Sequence, residues 1–177
     1  MSVGKNNVSL IIPVLDEQES IGELYTWIKK VLKTSKLKGE LIFIDDGSTD
    51  DSWKEISKLA ATDDHVQGLR FTRNYGKSAA LHAGFQICTG DVVITMDADL
   101  QDSPDEIPKL HGMIMKEGHH MVSGWKKVRH DPFEKRIPSK FFNWVTRLFS
   151  GIKLHDFNCG LKAYQNRVVK GIHLYGE

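Results

Sequence analysis

Two carboxylates one residue apart, Asp97 and Asp99, close the run Asp91-Val92-Val93-Ile94-Thr95-Met96, and an amide, Gln101, follows two residues later. A short apolar run of this kind reads as a strand buried on both faces. On an extended segment, positions 97, 99 and 101 project to the same side. Hard oxygen ligands at the carboxyl end of a strand suit Mg²⁺ or Mn²⁺, ions that keep several waters and share their shell with substrate phosphates. The competing reading is a loop whose acids cap the next helix. Asp102 and Ser103, ahead of Pro104, are placed to do that capping without Asp97 or Asp99.

The elements that must position these acids follow from periodicity. Val8 to Val14 is an apolar run containing Pro13 and reads as a first buried strand. A helical pattern follows through Ile21, Leu24, Tyr25, Ile28 and Leu32, with acids early and lysines late, as the helix dipole favours. Glu40 to Ile44 is a second strand, then a helix through Trp53, Ile56 and Leu59. Val66 to Phe71 is a third strand, Gly76 to Cys88 a small-residue helix stopped at Gly90, and the run from Asp91 the fourth strand. Pro104 starts another helix, Met121 to Gly124 is a fifth strand, and Asp156 to Tyr164 turns into a last one. Strands alternating with helices at this spacing predict an α/β domain with a mostly parallel sheet. Ligands of such sheets bind outside the carboxyl ends of the strands. Three acidic clusters fall there: Asp16 and Glu17, Asp45 and Asp46, and the segment from Asp97 to Gln101.

Bulk composition narrows the class. The 177 residues are 40% hydrophobic and 27% charged, ordinary values for a globular domain with a sizeable core. A net charge of +1 supplies no field for nucleic acid. The two cysteines, Cys88 and Cys159, form neither a disulfide framework nor a zinc motif, which fits a reducing setting. There is no signal-peptide pattern, and no run approaches the roughly 18 apolar residues of a membrane span. A dinucleotide fingerprint is absent, and Gly76-Lys77-Ser78 ends like a P-loop but has Phe71 where the leading glycine belongs. The eight histidines, His82 and the His119-His120 pair among them, show no metal-ligand spacing.

After Gly124 the character changes. Lys126, Lys127, Arg129, Lys135, Arg136 and Lys140 outnumber Asp131 and Glu134, and Phe133, Ile137, Phe141, Trp144, Val145 and Leu148 recur at helical spacing. Such a stripe lies either in a membrane interface or against the sheet, with its lysines solvated.

Five segments taken together resemble the family 2 glycosyltransferases of GT-A fold, in particular the polyprenyl-phosphate and dolichyl-phosphate branch. They are IIPVLDEQESI (11–21), IDDGSTDDS (44–52), RNYGKSAAL (73–81), DADLQDSPDEIP (97–108) and DFNCGLKAY (156–164), in family order over nearly the whole chain. The resemblance implies that Pro13, Leu15 and Glu17 hold the base and ribose of a nucleotide-sugar, Leu15 standing where an aromatic is common. It implies that Asp46, beside Asp45, meets the nucleoside, and that Asp97 and Ala98 belong to the donor-binding set. Lys77 joins that set on its own residues, Gly76-Lys77 reading either as an approach to a phosphate or as a glycine loop before a helix. It gives Asp97, Asp99 and Gln101 to a Mg²⁺ or Mn²⁺ cofactor, with Asp99 also catalytic. Lys126, Arg129 and Arg136 are implied to meet the phosphate of a polyprenyl acceptor, Lys126 standing where an arginine is common.

The expected organisation is a single catalytic domain over 1–177. Residues 1–124 form a nucleotide-sugar half, and 125–177 a partial acceptor half cut short of transmembrane helices. The expected reaction is an inverting, metal-dependent sugar transfer at the cytosolic membrane face, by a protein integral to the membrane at full length, this chain itself being soluble. A saccharide acceptor, and a non-catalytic nucleotide-sugar-binding domain, are the rival readings. The sugar, the choice of UDP or GDP, and a homo-oligomeric state are open at this point.

Overall fold

The computed structural model describes residues 7–124 and 159–172. The elements run β1 (Asn7–Val14), α1 (Ile21–Ser35), β2 (Lys38–Asp45), α2 (Ser52–Thr62), β3 (Val66–Arg70), α3 (Lys77–Ile87) and β4 (Val92–Thr95). A 3-10 turn, Pro104–Glu106, leads into α4 (Ile107–Met115), and β5 (Met121–Ser123), β6 (Lys162–Gln165) and α5 (Asn166–Lys170) complete the described elements. One six-stranded sheet has the order β3-β2-β1-β4-β6-β5. β1 pairs in parallel with β2 and β4, and β2 with β3, while β6 runs antiparallel to both β4 and β5.

Both faces of the sheet are covered, which is why its central strands carry unbroken apolar runs. Leu10, Ile12, Leu41, Phe43 and Ile94 face a layer made by Ile21, Leu24 and Ile28 of α1, Ile56 of α2, and Ile107 and Leu110 of α4. Ile11, Ile42, Ile44 and Val93 face Ala80 and Phe85 of α3 and Val169 of α5. The 3.6-residue spacing of α1 puts Ile21, Leu24, Ile28, Val31 and Leu32 on one buried stripe.

The sequence pattern gives no sign of α5, whose five residues are too few for a periodic signal. Its role is nonetheless visible. Lys170 Nζ donates to the carbonyls of Phe85 and Gln86, each at 2.8 Å, and so serves the open carboxyl end of α3. The Asn166 side-chain amide donates to Gly90 O at 2.6 Å, fixing the turn that launches β4.

Two expectations are corrected in detail. The third strand ends at Arg70, not Phe71, and the last, expected to follow a turn and to reach Tyr164, occupies Lys162–Gln165. Antiparallel β6 has a topological effect: Ser123 pairs with Lys162, and the Gly124 N–H donates to Leu161 O at 2.8 Å. The chain therefore leaves the sheet after Gly124 and comes back beside the point of departure. Lys126, Arg129, Arg136, the aromatic stripe and Asp156 to Asn158 all lie outside the described residues.

Candidate active site

Strand order reverses at β1: the chain steps outward to β2 and β3, then crosses back to place β4 on the other side. That switch point opens a crevice at the carboxyl ends of β1 and β4, where doubly wound sheets bind ligands. The cleft here has a volume of about 240 Å³. Pro13, Leu15 and Glu17 line it from the end of β1, Asp46 from β2, Asn74, Gly76 and Lys77 from the start of α3, and Asp97, Ala98 and Asp99 from β4. Of the expected donor-site residues, these positions are brought together as anticipated, with Asn74 and Gly76 added from the RNYGK segment.

Asp45 is not among them. Its side chain is completely buried, with Oδ1 accepting the Ser48 N–H at 2.8 Å and Oδ2 lying 3.2 Å from Arg70 Nε. Gln101 is exposed and does not line the cleft either. The expected in-line projection of 97, 99 and 101 fails for a backbone reason. β4 ends at Thr95, Leu100 adopts a left-handed φ of 61°, and the Gln101 N–H turns back to Asp99 Oδ1 at 3.1 Å. The chain is a turn there, so period-two alternation does not apply. Ser103 makes no side-chain cap, and the Asp102 carboxylate reaches back to the Asp97 N–H at 3.4 Å. The following helix therefore takes nothing from Asp97 or Asp99.

The floor of the cleft is a pair of interlocked loops. The Asp16 N–H donates to Ser48 Oγ at 3.0 Å, the Glu17 N–H to Ser52 Oγ at 2.8 Å, and the Gln18 N–H to Asp50 Oδ2 at 3.1 Å. In return Asp16 Oδ1 accepts the Thr49 N–H at 2.7 Å, and Gln18 Oε1 the Asp51 N–H at 2.9 Å. Asp16 thus acts as a strut for the loop, at a φ of 54°, which an Asp tolerates better than most residues.

Asp46 ties that floor to α3. Its two oxygens accept the Tyr75 N–H at 2.7 Å and the Gly76 N–H at 2.9 Å. Gly76 holds a φ of 91°, a conformation that costs glycine nothing and lets the chain turn into the helix. Beside it, the Arg73 guanidinium stands 4.8 Å from the Tyr75 ring centroid, and its hydrogen bond draws the Tyr75 phenol below its usual pKa. Tyr75 is 47% exposed.

Asp97 carries an ion pair from Lys77 Nζ to its Oδ1. On its other side Gly160 comes so close that an added Cβ would stand 2.7 Å from Asp97 Cγ. The Gly160 carbonyl accepts Thr95 Oγ1 at 2.9 Å, which locks this approach to β4. Gly160 was legible only as part of the DFNCG segment; nothing local marks it as a neighbour of Asp97. Among the described residues no three His, Cys, Asp or Glu side chains are grouped to hold a metal. Two carboxylates that leave coordination positions to phosphate and water are the usual protein share of a Mg²⁺ site, so Asp97 and Asp99 fit such an ion.

A second cavity, about 250 Å³, lies at the opposite edge of the sheet around Glu40. The Glu40 carboxylate there already accepts from Ser9 Oγ, the Thr89 N–H and Oγ1, and Gln67. That carboxylate is a structural knot, and the carboxyl edge is the better site despite similar volume. Burial pushes the Cys88 thiol up, so it stays protonated and unreactive.

An α/β domain with an acidic cleft at the switch point of its sheet belongs to the doubly wound class, whose ligands bind at that point. The Glycosyl transferase family 2 profile matches residues 9–171, and the chain is a member of that family. It is 40% identical over 166 residues to an undecaprenyl-phosphate 4-deoxy-4-formamido-L-arabinose transferase of Shewanella sediminis, covering 93% of this chain and 50% of that protein. It is 33% identical to a dodecaprenyl-phosphate galacturonate synthase of Rhizobium johnstonii, covering 96% of this chain and 51% of that one. The chain therefore spans about half the length of these relatives. Among solved structures it superposes on a mannosyltransferase from Pyrobaculum calidifontis in complex with GDP-Man and Mn²⁺, with a TM-score of 0.70 at 21% identity, over 98% of this chain and 48% of that one. A glucosyl-3-phosphoglycerate synthase from Mycobacterium tuberculosis with Mn²⁺, UDP and phosphoglyceric acid gives 0.72 at 21% identity, over 92% and 57%. The fold is GT-A, as expected.

Proposed function

We propose that this chain carries the donor-binding and catalytic part of a transferase that moves a sugar from a nucleoside diphosphate to a polyprenyl phosphate. The observation that supports this most is the convergence of Glu17, Asp46, Asp97 and Asp99 on one cleft at the β1/β4 switch point. Likeness to polyprenyl-phosphate sugar transferases across nearly the whole chain favours the lipid acceptor over a saccharide.

Pro13, Leu15, Glu17 and Asp46 take the base and ribose. The Asp46 oxygens are already oriented by two backbone amides at the edge of the cleft. Asp97 and Asp99 would hold Mg²⁺ or Mn²⁺, Gln101 staying outside the cleft, and Ala98 lets the donor pass close to the chain. A cation bound there supplies neutralisation of the charge that builds on the leaving diphosphate. The acceptor phosphate oxygen attacks the anomeric carbon as the bond to the diphosphate breaks, and the nucleoside diphosphate departs with that electron pair. One in-line displacement inverts the carbon. The nucleophile is already an anion, so no base has to take a proton. Lys126, Arg129 and Arg136 hold it in line, and their basic stretch rests on the cytosolic face of a membrane.

The test is release of nucleoside diphosphate by the purified protein, with Mg²⁺ or Mn²⁺, across UDP- and GDP-sugars, with and without undecaprenyl phosphate in detergent micelles. Release that depends on the lipid and on one donor is the expected outcome. Release driven by a saccharide acceptor instead would overturn the lipid assignment, and donor binding without any turnover would make this a binding domain.

A further inference from the structure

Lys77 is the single cation among the cleft-lining residues described, facing Glu17, Asp46, Asp97 and Asp99. Its backbone is fixed, because the preceding Gly76 N–H is held by Asp46 and α3 begins at Lys77 itself. Asp97, its partner, is confined on the far side by Gly160, and its own N–H is held by Asp102. The carboxylate therefore has little room to turn away. The lysine has a long, flexible stem and a side chain that is 50% exposed, against 29% for Asp97. Of the two partners, the lysine is the one free to leave.

We infer that Lys77 is a displaceable counter-ion that makes divalent-cation binding and nucleotide binding depend on each other. The inference deepens the functional reading above and rests on it. In the donor-free cleft the ammonium neutralises Asp97, so a divalent cation arriving alone must compete with it. A diphosphate arriving with the cation offers Lys77 a second anionic partner within the same cleft, and the ion pair is exchanged instead of lost. Each ligand then raises the affinity for the other by one shared factor. The cleft accordingly discriminates against bare cation and takes the charge-matched pair. Because the ion pair is half exposed, the contest changes affinity severalfold, not by orders of magnitude.

The experiment measures Mn²⁺ binding without nucleotide from the electron paramagnetic resonance of free Mn²⁺, and titrates UDP and GDP calorimetrically with and without saturating Mn²⁺. Wild type, Lys77→Met and Lys77→Arg are compared, with circular dichroism and thermal melts to establish that each is folded. The expected result is that Lys77→Met binds Mn²⁺ alone severalfold more tightly than wild type and loses most of the gain that Mn²⁺ gives to nucleotide binding. Lys77→Arg, which keeps the charge, retains most of that gain. Unchanged or weaker binding of Mn²⁺ alone by Lys77→Met, or an unchanged nucleotide–Mn²⁺ coupling, would overturn the inference while leaving the functional reading intact. Failure of the wild type to bind either nucleotide in Mn²⁺ would overturn the reading itself.

Discussion

The acids that close β2 and those that follow β4 serve different ends. After β2, Asp45 is sealed in the interior and spent on Ser48 and Arg70, while Asp46 is wired to the amides of Tyr75 and Gly76. After β4, Asp97 and Asp99 face a cleft; Asp97 is held by a side chain that can leave, and Asp99 accepts a local turn N–H. Acids saturated by backbone amides shape the loops of the site, whereas those answered by a mobile side chain or a turn are left for a ligand. Asp46 belongs to both groups, since it also lines the cleft.

Substitution separates these roles, and the largest effect is expected at Asp99. Asp99→Asn should lower metal-dependent release of nucleoside diphosphate by about 10²–10³-fold, the scale for removing a group that stabilises transition-state charge, with the melting temperature unchanged. A comparable loss of stability at this position would break the distinction. Asp45→Ala should do the opposite: unfolding in urea should show a loss of about 2–3 kcal/mol, because a buried N–H loses its acceptor and Arg70 its partner. Asp46→Asn should show both effects in reduced form, with about tenfold weaker nucleotide binding in calorimetry and about 1 kcal/mol less stability.

The smallest effect is expected at an acid far from the cleft. Burial alone would push the Asp63 carboxyl up, but hydrogen bonds from Lys29, the His65 amide and Tyr25 outweigh it and hold it well below the usual carboxylate range. A depressed carboxyl contributes stability that is present above its unfolded value of 3.8 and is lost as pH falls toward the folded one. Asp63→Asn should therefore cost about 1 kcal/mol at pH 7 and less near pH 2, with turnover unaffected. Equal costs at both pH values would show that the ionised form is not what matters there.

The fold was legible because its strands obey a simple rule: buried on both faces, they are written as apolar runs, and their order with helices follows. The acidic strand ends were legible as a site for the same reason, since the sheet geometry leaves only one edge for ligands. Asp45 and Asp46 could not be told apart, because adjacent acids differ only in which side of the strand end they leave from. Gln101 was misread through the assumption of extended chain, which Leu100 interrupts. Lys170 and Gly160 were invisible as contacts, being brought to α3 and to Asp97 by a strand that pairs antiparallel from the far end of the chain.

The clasp between Gly124 and Leu161 sets how much chain length the fold tolerates at that point. The chain leaves the sheet and rejoins it at one place, and that place abuts Asp97 through Gly160. The entropy of closing such an excursion grows only with the logarithm of its length, each doubling adding about 0.6 kcal/mol. A change of length between those positions therefore costs little and leaves the register of β5 on β6 as it is, because both ends of the excursion are fixed by the same backbone hydrogen bond.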